Sequence, residues 1–420
     1  MLITRSRRRL PACNLQTHLH SSKRPSILAA WEMSRRFLNL VMENLDTGLY
    51  SLRRLNLSQR LFYPSTAAAE AATARSEAAV KANAERPAGY KHGLRFLNAT
   101  ATSLDPLPAA SINFKPCGPS NLGDTPLDLV ALLGDEGRIL CADAAGRTSL
   151  YDADAHAVVT VPDLKSYKGR GAIPICIARD DGRDTSDGGC SDQGGSMYVL
   201  RLRLDVPDCR DDCFEEIRFD GGWDIFNGHQ PFRGWRLHGG ERIRHLYVSC
   251  SDPRGFGTYA FDTERWQWWH AGKWRLPFFD RAEYVPELNL WSGLSSCRPF
   301  HLCASDLSTM DFERPPVILQ TLADFDMPKS WSPIRLDLIN LGSGRFCVVK
   351  MFHCTRPPVG MGYSDEDGDD DEVFDYPDLI HWEFTVLTGI EVVCCDGELL
   401  MIKHMSKYHM FKDDVIHWAL

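Results

Sequence analysis

Residues 243–277, IRHLYVSCSDPRGFGTYAFDTERWQWWHAGKWRLP, decide the fold class. Residues 243–250 alternate, which sets Leu246, Val248 and Cys250 on one face. Asp252, Pro253 and Gly255 interrupt the run. Residues 258–261 are β-branched and aromatic, 262–265 turn the chain, and 266–270 return it. Period-two alternation bounded by Gly, Pro and Asp marks half-buried strands. The stretch therefore predicts three short antiparallel strands.

The same plan recurs. An aromatic residue followed by Asp ends a strand at Tyr151-Asp152, Phe219-Asp220 and Phe261-Asp262, with Ser305-Asp306 a weaker copy. Asp suits the position because its carboxylate can accept hydrogen bonds from backbone N–H groups two residues on and close the turn. Units of roughly 40–50 residues with several strands each are the mark of propeller blades. The longest interval contains 179–195, RDDGRDTSDGGCSDQGG, which reads as an inserted surface loop.

Six blades are expected. The first takes 35–42, 49–55 and 112–114, and the second takes 128–133, 138–142, 148–151 and 157–161. The third uses 172–177, 197–202 and 214–219, and the fourth is the opening stretch with 234–237 before it. The fifth uses 283–285, 288–292, 300–304 and 317–322. The sixth uses 334–339, 345–352, 381–386 and 399–404. One small sheet cannot bury both faces, and radial stacking solves this. The fold class expected is thus all-β, a six-bladed propeller over 33–420, with one helical excursion at 65–86. That excursion is rich in Ala and Glu and stops at Pro87. Propensity makes it helix, and its alanine face leads us to expect exposure.

Residues 1–32 differ in character. Six Arg and Lys, several Ser and Thr, and no acid before Glu32 fit an organellar transit peptide. An unstructured extension is the plainer expectation. The formal charge is −9, yet eight acidic residues sit in 365–375, and without them 47 basic residues face 48 acidic ones. The acidity is mostly one loop, 364–377, expected to be solvated. No broad basic surface points to nucleic acid, and no apolar run of about 18 residues points to a membrane. Many of the 14 cysteines lie in apolar runs, as Cys141, Cys176 and Cys347 do, which favours free thiols in a reducing, cytoplasmic or nuclear compartment.

Several pieces resemble a grass family of kelch-like proteins known as a domain of unknown function, DUF1668. They include RRFLNLVM, SINFKP, GRILCADAAGRTSLYDADAHAVVTVPDL, GTYAFDTERWQWWHAGKWRLPFFDRAEYVPELNLW and INLGSGRFCVVKMF, and they run from about residue 35 to the end. The resemblance implies a plant protein with a kelch-like propeller, and it brings no catalytic residues. Tyr259, Phe261, Asp262 and Trp266 are also similar to the kelch halves of F-box adaptors. The double-Gly mark of kelch repeats is confined to Gly221-Gly222 and Gly239-Gly240, and no F-box-like helical module precedes the strands.

No catalytic, cofactor or metal residues are assigned. Cys209 and Cys213 give only two thiols, whereas a zinc site needs four ligands. His353, Cys354, Cys394, Cys395, His404, His409 and His417 form no matching pairs. The run from Asp365 has Gly at its fourth position, where a calcium loop needs it at the sixth. Nucleophile-elbow, phosphate-loop and dinucleotide patterns are missing. The expected role is a monomeric, non-enzymatic interaction module with a protein partner, since propellers offer a rigid core with variable loops. Trp266 and Trp268 are expected to pack between strands, and Trp269 and Trp274 to be exposed. The alternatives are an F-box-type substrate adaptor lacking a recognisable F-box, and a ligand-binding or catalytic propeller with a site in the central channel. The requirement of the latter is three or more charged or His side chains from separate blades meeting at one cavity.

Overall fold

The structure, a computed structural model, describes residues 2–6, 35–58, 60–84, 97, 101–116, 127–164, 172–178, 195–200, 214–219, 225–228, 244–249, 257–262, 265, 267–285, 288–308, 310–322, 331–356, 380–395, 398–411 and 413–420. The strands form five sheets in a five-bladed propeller arrangement. The loop at 179–194, the strand at 234–237, Asp220, Trp266 and the acidic loop at 364–377 lie outside the described residues.

The first sheet is ordered β25 (Asp414–Ala419), β2 (Phe37–Asn44), β3 (Leu49–Asn56) and β5 (Ile112–Phe114). Its edge strand β25 comes from the C-terminal end and pairs antiparallel with β2, Leu40 opposite Ala419. The chain thus closes on itself, through a strand missing from the expected first blade. The second sheet is β6 (Leu127–Leu132), β7 (Arg138–Asp143), β8 (Thr148–Asp152) and β9 (Ala157–Thr160), in chain order. The third is β10 (Ile173–Ala178), β11 (Gly195–Leu200), β12 (Phe214–Phe219) and β13 (Ile225–Gly228).

The expected fourth and fifth blades are one sheet of eight strands, which corrects six blades to five. Its first part is β16 (Gln267–Gly272), β15 (Thr258–Asp262) and β14 (Arg244–Ser249). Its second part is β17 (Phe278–Val285), β18 (Leu290–Ser295), β19 (Leu302–Asp306) and β20 (Val317–Leu322). Strand β1 (Leu2–Ser6) joins them. It runs antiparallel to β14, Leu2 opposite Val248 through Ser6 opposite Arg244, and parallel to β17 at Leu2 and Arg281. β1 belongs to the stretch read as a leader, and residues 7–34 lie outside the described set. The last sheet is β21 (Trp331–Gly342), β22 (Arg345–Arg356), β23 (Ile380–Cys395) and β24 (Glu398–Met410), with β4 (Thr102–Ser103) added parallel to β24.

Hydrophobic faces meet around the ring. Val41 and Leu52 of the first sheet pack with Val130 and Ile139 of the second. Leu129 and Leu140 meet Met197 and Val199 of the third, and Tyr198 meets Leu246 and Phe261 of the eight-stranded sheet. Leu294 and Leu302 pack on Leu338 and Phe346 of the last sheet, whose Leu341 and Met351 return to Leu38 and Leu40. Within the eight-stranded sheet Tyr247 and Ala260 share a cluster with Trp291 and Cys303, so its two parts face one another.

Turn carboxylates behave as their chemistry demands. Oδ1 of Asp152 accepts the N–H groups of Asp154 at 2.9 Å and Ala155 at 2.8 Å. Oδ1 of Asp262 accepts that of Arg265 at 2.9 Å. Helix α1 spans Thr66–Ala84, and Ser65 caps it, its Oγ accepting the N–H of Ala68 at 3.2 Å. The helix is docked, which corrects the expected exposure. Ala69 is buried, and Thr73 Oγ1 donates to the Lys403 carbonyl of β24 at 3.2 Å. Small side chains let the helix backbone approach the strand, a contact the alanine-rich face allows. Trp268 packs on Phe261 at 5.0 Å and Trp269 is exposed, as expected. Trp274 is buried instead, because its Nε1–H donates to the Asp311 carbonyl at 2.6 Å.

Candidate functional site

A cavity of about 760 Å³ lies where all five sheets meet. Leu420 follows β25, Leu132 closes β6, Cys176 comes from β10, Arg281 and Glu283 from β17, and Ile339 from β21. The turn after β6 adds Asp135 and Glu136, and the segment entering β2 adds Arg35 and Arg36. Charged groups from several elements thus line one cavity.

Strand β17 shows how the chain delivers them. Its pairing with β18 slips between Phe279 and Ala282, so Asp280 and Arg281 form a bulge, and Asp280 takes a positive φ of 54°. A bulge re-aims side chains next to a site. Beyond it, period two sets Arg281 and Glu283 on the cavity side, while Ala282 enters the core. Across the ladder stands Gly293, where an added Cβ would lie 2.6 Å from the Phe278 ring and 2.9 Å from the Ala282 Cβ. No larger residue fits beside this bulge.

The carboxylates here are engaged. Glu283 accepts Arg281 Nη2 at 3.1 Å. Glu136 Oε2 accepts the backbone N–H groups of Arg36 at 2.6 Å and Phe37 at 2.9 Å, and the Glu136 carbonyl accepts Asn39 Nδ2 at 3.0 Å. Asp135 Oδ1 holds the turn through the N–H groups of Gly137 at 2.8 Å and Arg138 at 3.0 Å. Asp154, 84% exposed, pairs with Arg54 at 3.4 Å on the rim. Beside the cavity Asp337 takes a forked contact from Arg335, 2.6 Å to Nε and 3.0 Å to Nη2. Burial raises the Asp337 pKa, and Arg335 opposes the rise.

Arg35 differs. Its guanidinium makes one side-chain contact among the described residues, Nη1 to the Asn340 carbonyl at 3.5 Å. Burial lowers its pKa; Glu283 opposes this, Arg281 adds to it, and Glu136 opposes again. Cys176 is the thiol of the wall. Its Sγ donates to the Leu132 carbonyl at 2.8 Å, and burial raises its pKa, so it stays a thiol rather than a nucleophilic thiolate.

A second polar cluster lies on the last sheet. His404, buried, accepts the Tyr63 N–H at Nδ1 (3.1 Å), so the ring proton sits on Nε2 and points at Glu391 Oε2, 3.2 Å away. Glu391 also accepts Arg345 Nε at 3.1 Å and Thr66 Oγ1 at 3.4 Å. The hydrogen bond from His404, with Arg345 alongside, holds its pKa at about 2 despite burial. Of the histidines weighed as metal ligands, His404 serves this clamp and His409 Nδ1 meets Asp105 at 2.5 Å. Among the described residues, no three His, Cys, Asp or Glu side chains gather closely enough to hold a metal ion. Likewise, no helix there is long and apolar enough to cross a membrane.

On the outer surface Tyr259, 37% exposed, stacks on His270 at 4.9 Å, and Phe312, 43% exposed, meets the same ring edge-on at 5.2 Å. Sequence reading had not marked Arg35, Arg281, Glu283 or Glu136. The sequence carries a signal for two of them: Arg281 and Glu283 place charge at period two on either side of Ala282. No curated protein matches the chain. A family model described as a protein of unknown function, DUF1668, matches residues 35–409, so the chain belongs to that family.

Proposed function

We propose that this protein is a non-enzymatic binding module that takes a small polar ligand into the cavity where its sheets meet. The observation that carries this reading is the convergence of Arg35 before β2, Glu136 after β6, and Arg281 and Glu283 of β17 on one volume of about 760 Å³. That size suits a small molecule. Guanidinium and carboxylate groups hold and orient charge, and among the described residues of the wall no activated nucleophile stands beside a base.

A second reading is the protein-interaction module, which the exposed cluster of Tyr259, His270 and Phe312 supports. Aromatic residues are enriched at interfaces. The kelch likeness is part of the proposal and rests on Tyr259, Phe261, Asp262 and Trp266; the plant origin is part of it too and rests on the family resemblance alone. The buried thiols suit a reducing compartment.

The test is a thermal-shift screen of small metabolites against the wild type and Leu132→Trp, which fills part of the cavity. Cavity ligands stabilise the wild type and not the variant. A screen in which no compound separates two cooperatively melting proteins rejects the reading, and a stable protein complex lost on Phe312→Ala and Tyr259→Ala would put the second one in its place.

A further inference from the structure

We infer that the cavity holds an oxyanion, a carboxylate or phosphate group of the ligand, between Arg35 and Arg281. This rests on the ligand-binding reading and narrows it.

Arg35 lines the cavity and spends one N–H on a carbonyl 3.5 Å away. A guanidinium carries five N–H donors in a rigid fork. The rest of the fork has no acceptor among the described residues. The two carboxylates whose charge reaches Arg35 are Glu283 and Glu136. Both are spoken for: Glu283 pairs with Arg281 at 3.1 Å, and Glu136 Oε2 binds two backbone N–H groups at 2.6 and 2.9 Å. Glu283 therefore contacts one guanidinium and reaches the other only through space, and half-buried Arg35 is left without a paired carboxylate among the described residues. An oxyanion offers two or more oxygens in the geometry an arginine fork accepts. It would satisfy Arg35 directly and reach Arg281, whose side chain is 48% exposed at the cavity. Asp337 does not compete, because Arg335 holds both its oxygens.

The arrangement also sets selectivity. Glu283 stands beside Arg281 and repels a second negative charge, so a singly charged head is favoured over a multiply charged one. Glu283 is then a specificity residue rather than an anchor.

The experiment is calorimetric titration of the full chain at constant ionic strength, with inorganic phosphate in one arm and acetate in the other. Saturable one-site binding of at least one anion is expected, and the tighter arm identifies the head group. Arg35→Gln and Arg281→Gln should each weaken it about tenfold or more, as loss of a charge-assisted pair does. Glu283→Gln should strengthen it and narrow the gap between doubly and singly charged phosphate across pH 6–8, the window in which inorganic phosphate takes its second negative charge. If Arg35→Gln does not melt cooperatively, Arg281→Gln carries the test, since that side chain is the more exposed. Binding of neither anion, or equal affinity for wild type and Arg281→Gln, overturns the inference. A compound from the thermal-shift screen that Leu132→Trp excludes, but Arg35→Gln and Arg281→Gln bind unchanged, overturns the oxyanion and leaves the cavity reading standing. A screen with no cavity ligand removes both.

Discussion

Two arginine–glutamate pairs in this molecule have the same Arg-to-carboxylate distance, 3.1 Å, and opposite surroundings. Arg345–Glu391 is closed. His404 and Thr66 fill the remaining carboxylate contacts, and His404 in turn holds the Tyr63 backbone. The cluster ties the approach to α1 onto the last sheet. Arg281–Glu283 is open. It stands on a bulged strand at a cavity wall, with the unspent fork of Arg35 nearby. The difference teaches how to tell a structural polar cluster from a binding one. Saturated groups stabilise a single packing, and unsaturated ones wait for an acceptor from outside.

The sharpest way to break that contrast is at His404. His404→Ala should cost about 3 kcal/mol, because it opens a void and strands both the Tyr63 N–H and Glu391. Urea unfolding would measure it, and a cost below about 1 kcal/mol would show that the closed cluster is ornamental. The same cluster has a pH signature. The folded-state pKa of Glu391 lies below its ordinary 4.5, so the ionised form favours the fold above that value. The contribution fades as pH falls from 4.5 toward about 2. Thermal midpoints across that window should drop less for Glu391→Gln than for wild type. Parallel curves would sink the assignment.

Gly293→Ala comes next, at about 2 kcal/mol, since the new Cβ overlaps Phe278 and Ala282. If the bulge exists to aim Arg281, this variant should also weaken ligand or anion binding when it folds. Unchanged affinity would separate the bulge from the site. Asp262→Ala should cost about 1 kcal/mol through the lost Arg265 N–H contact, and Asn should recover most of it. Chemical denaturation of the Ala and Asn variants would decide. Equal losses in both would mean that charge, and not the accepted hydrogen bond, matters there. The smallest effect is at the open pair. Glu283→Gln should shift stability by less than about 0.5 kcal/mol, because Arg281 is solvent-screened. A larger loss would make that pair structural, like its counterpart.

Much of this architecture is legible locally. Alternation places β6 through β9 and β14 through β16 within a residue or two, and the recurring Asp marks real turns at Asp152 and Asp262. Such signals are legible because they are short-range: pleat period and turn chemistry belong to neighbouring residues. The docked face of α1 was harder, since alanine reads as weakly buried when no partner strand is in view. The site was least legible, because its members are separated in the chain by as much as the interval from Arg35 to Glu283 and no spacing rule connects them.

Sequence by itself determined that the chain is mainly β, with a helix read at 65–86 that the structure places at Thr66–Ala84, strands ended by capped turns, and apolar faces enough to stack sheets. Tertiary structure alone decided which strands meet. Leu2–Ser6 fuses two expected blades into one sheet, and Asp414–Ala419 closes the ring on β2. It also decided that Arg35, Glu136 and Arg281 share a cavity. The physical reason is that an edge strand exposes the same N–H and C=O groups whatever its sequence. Pairing between distant segments is then chosen by the packing of whole sheets, which no local window contains.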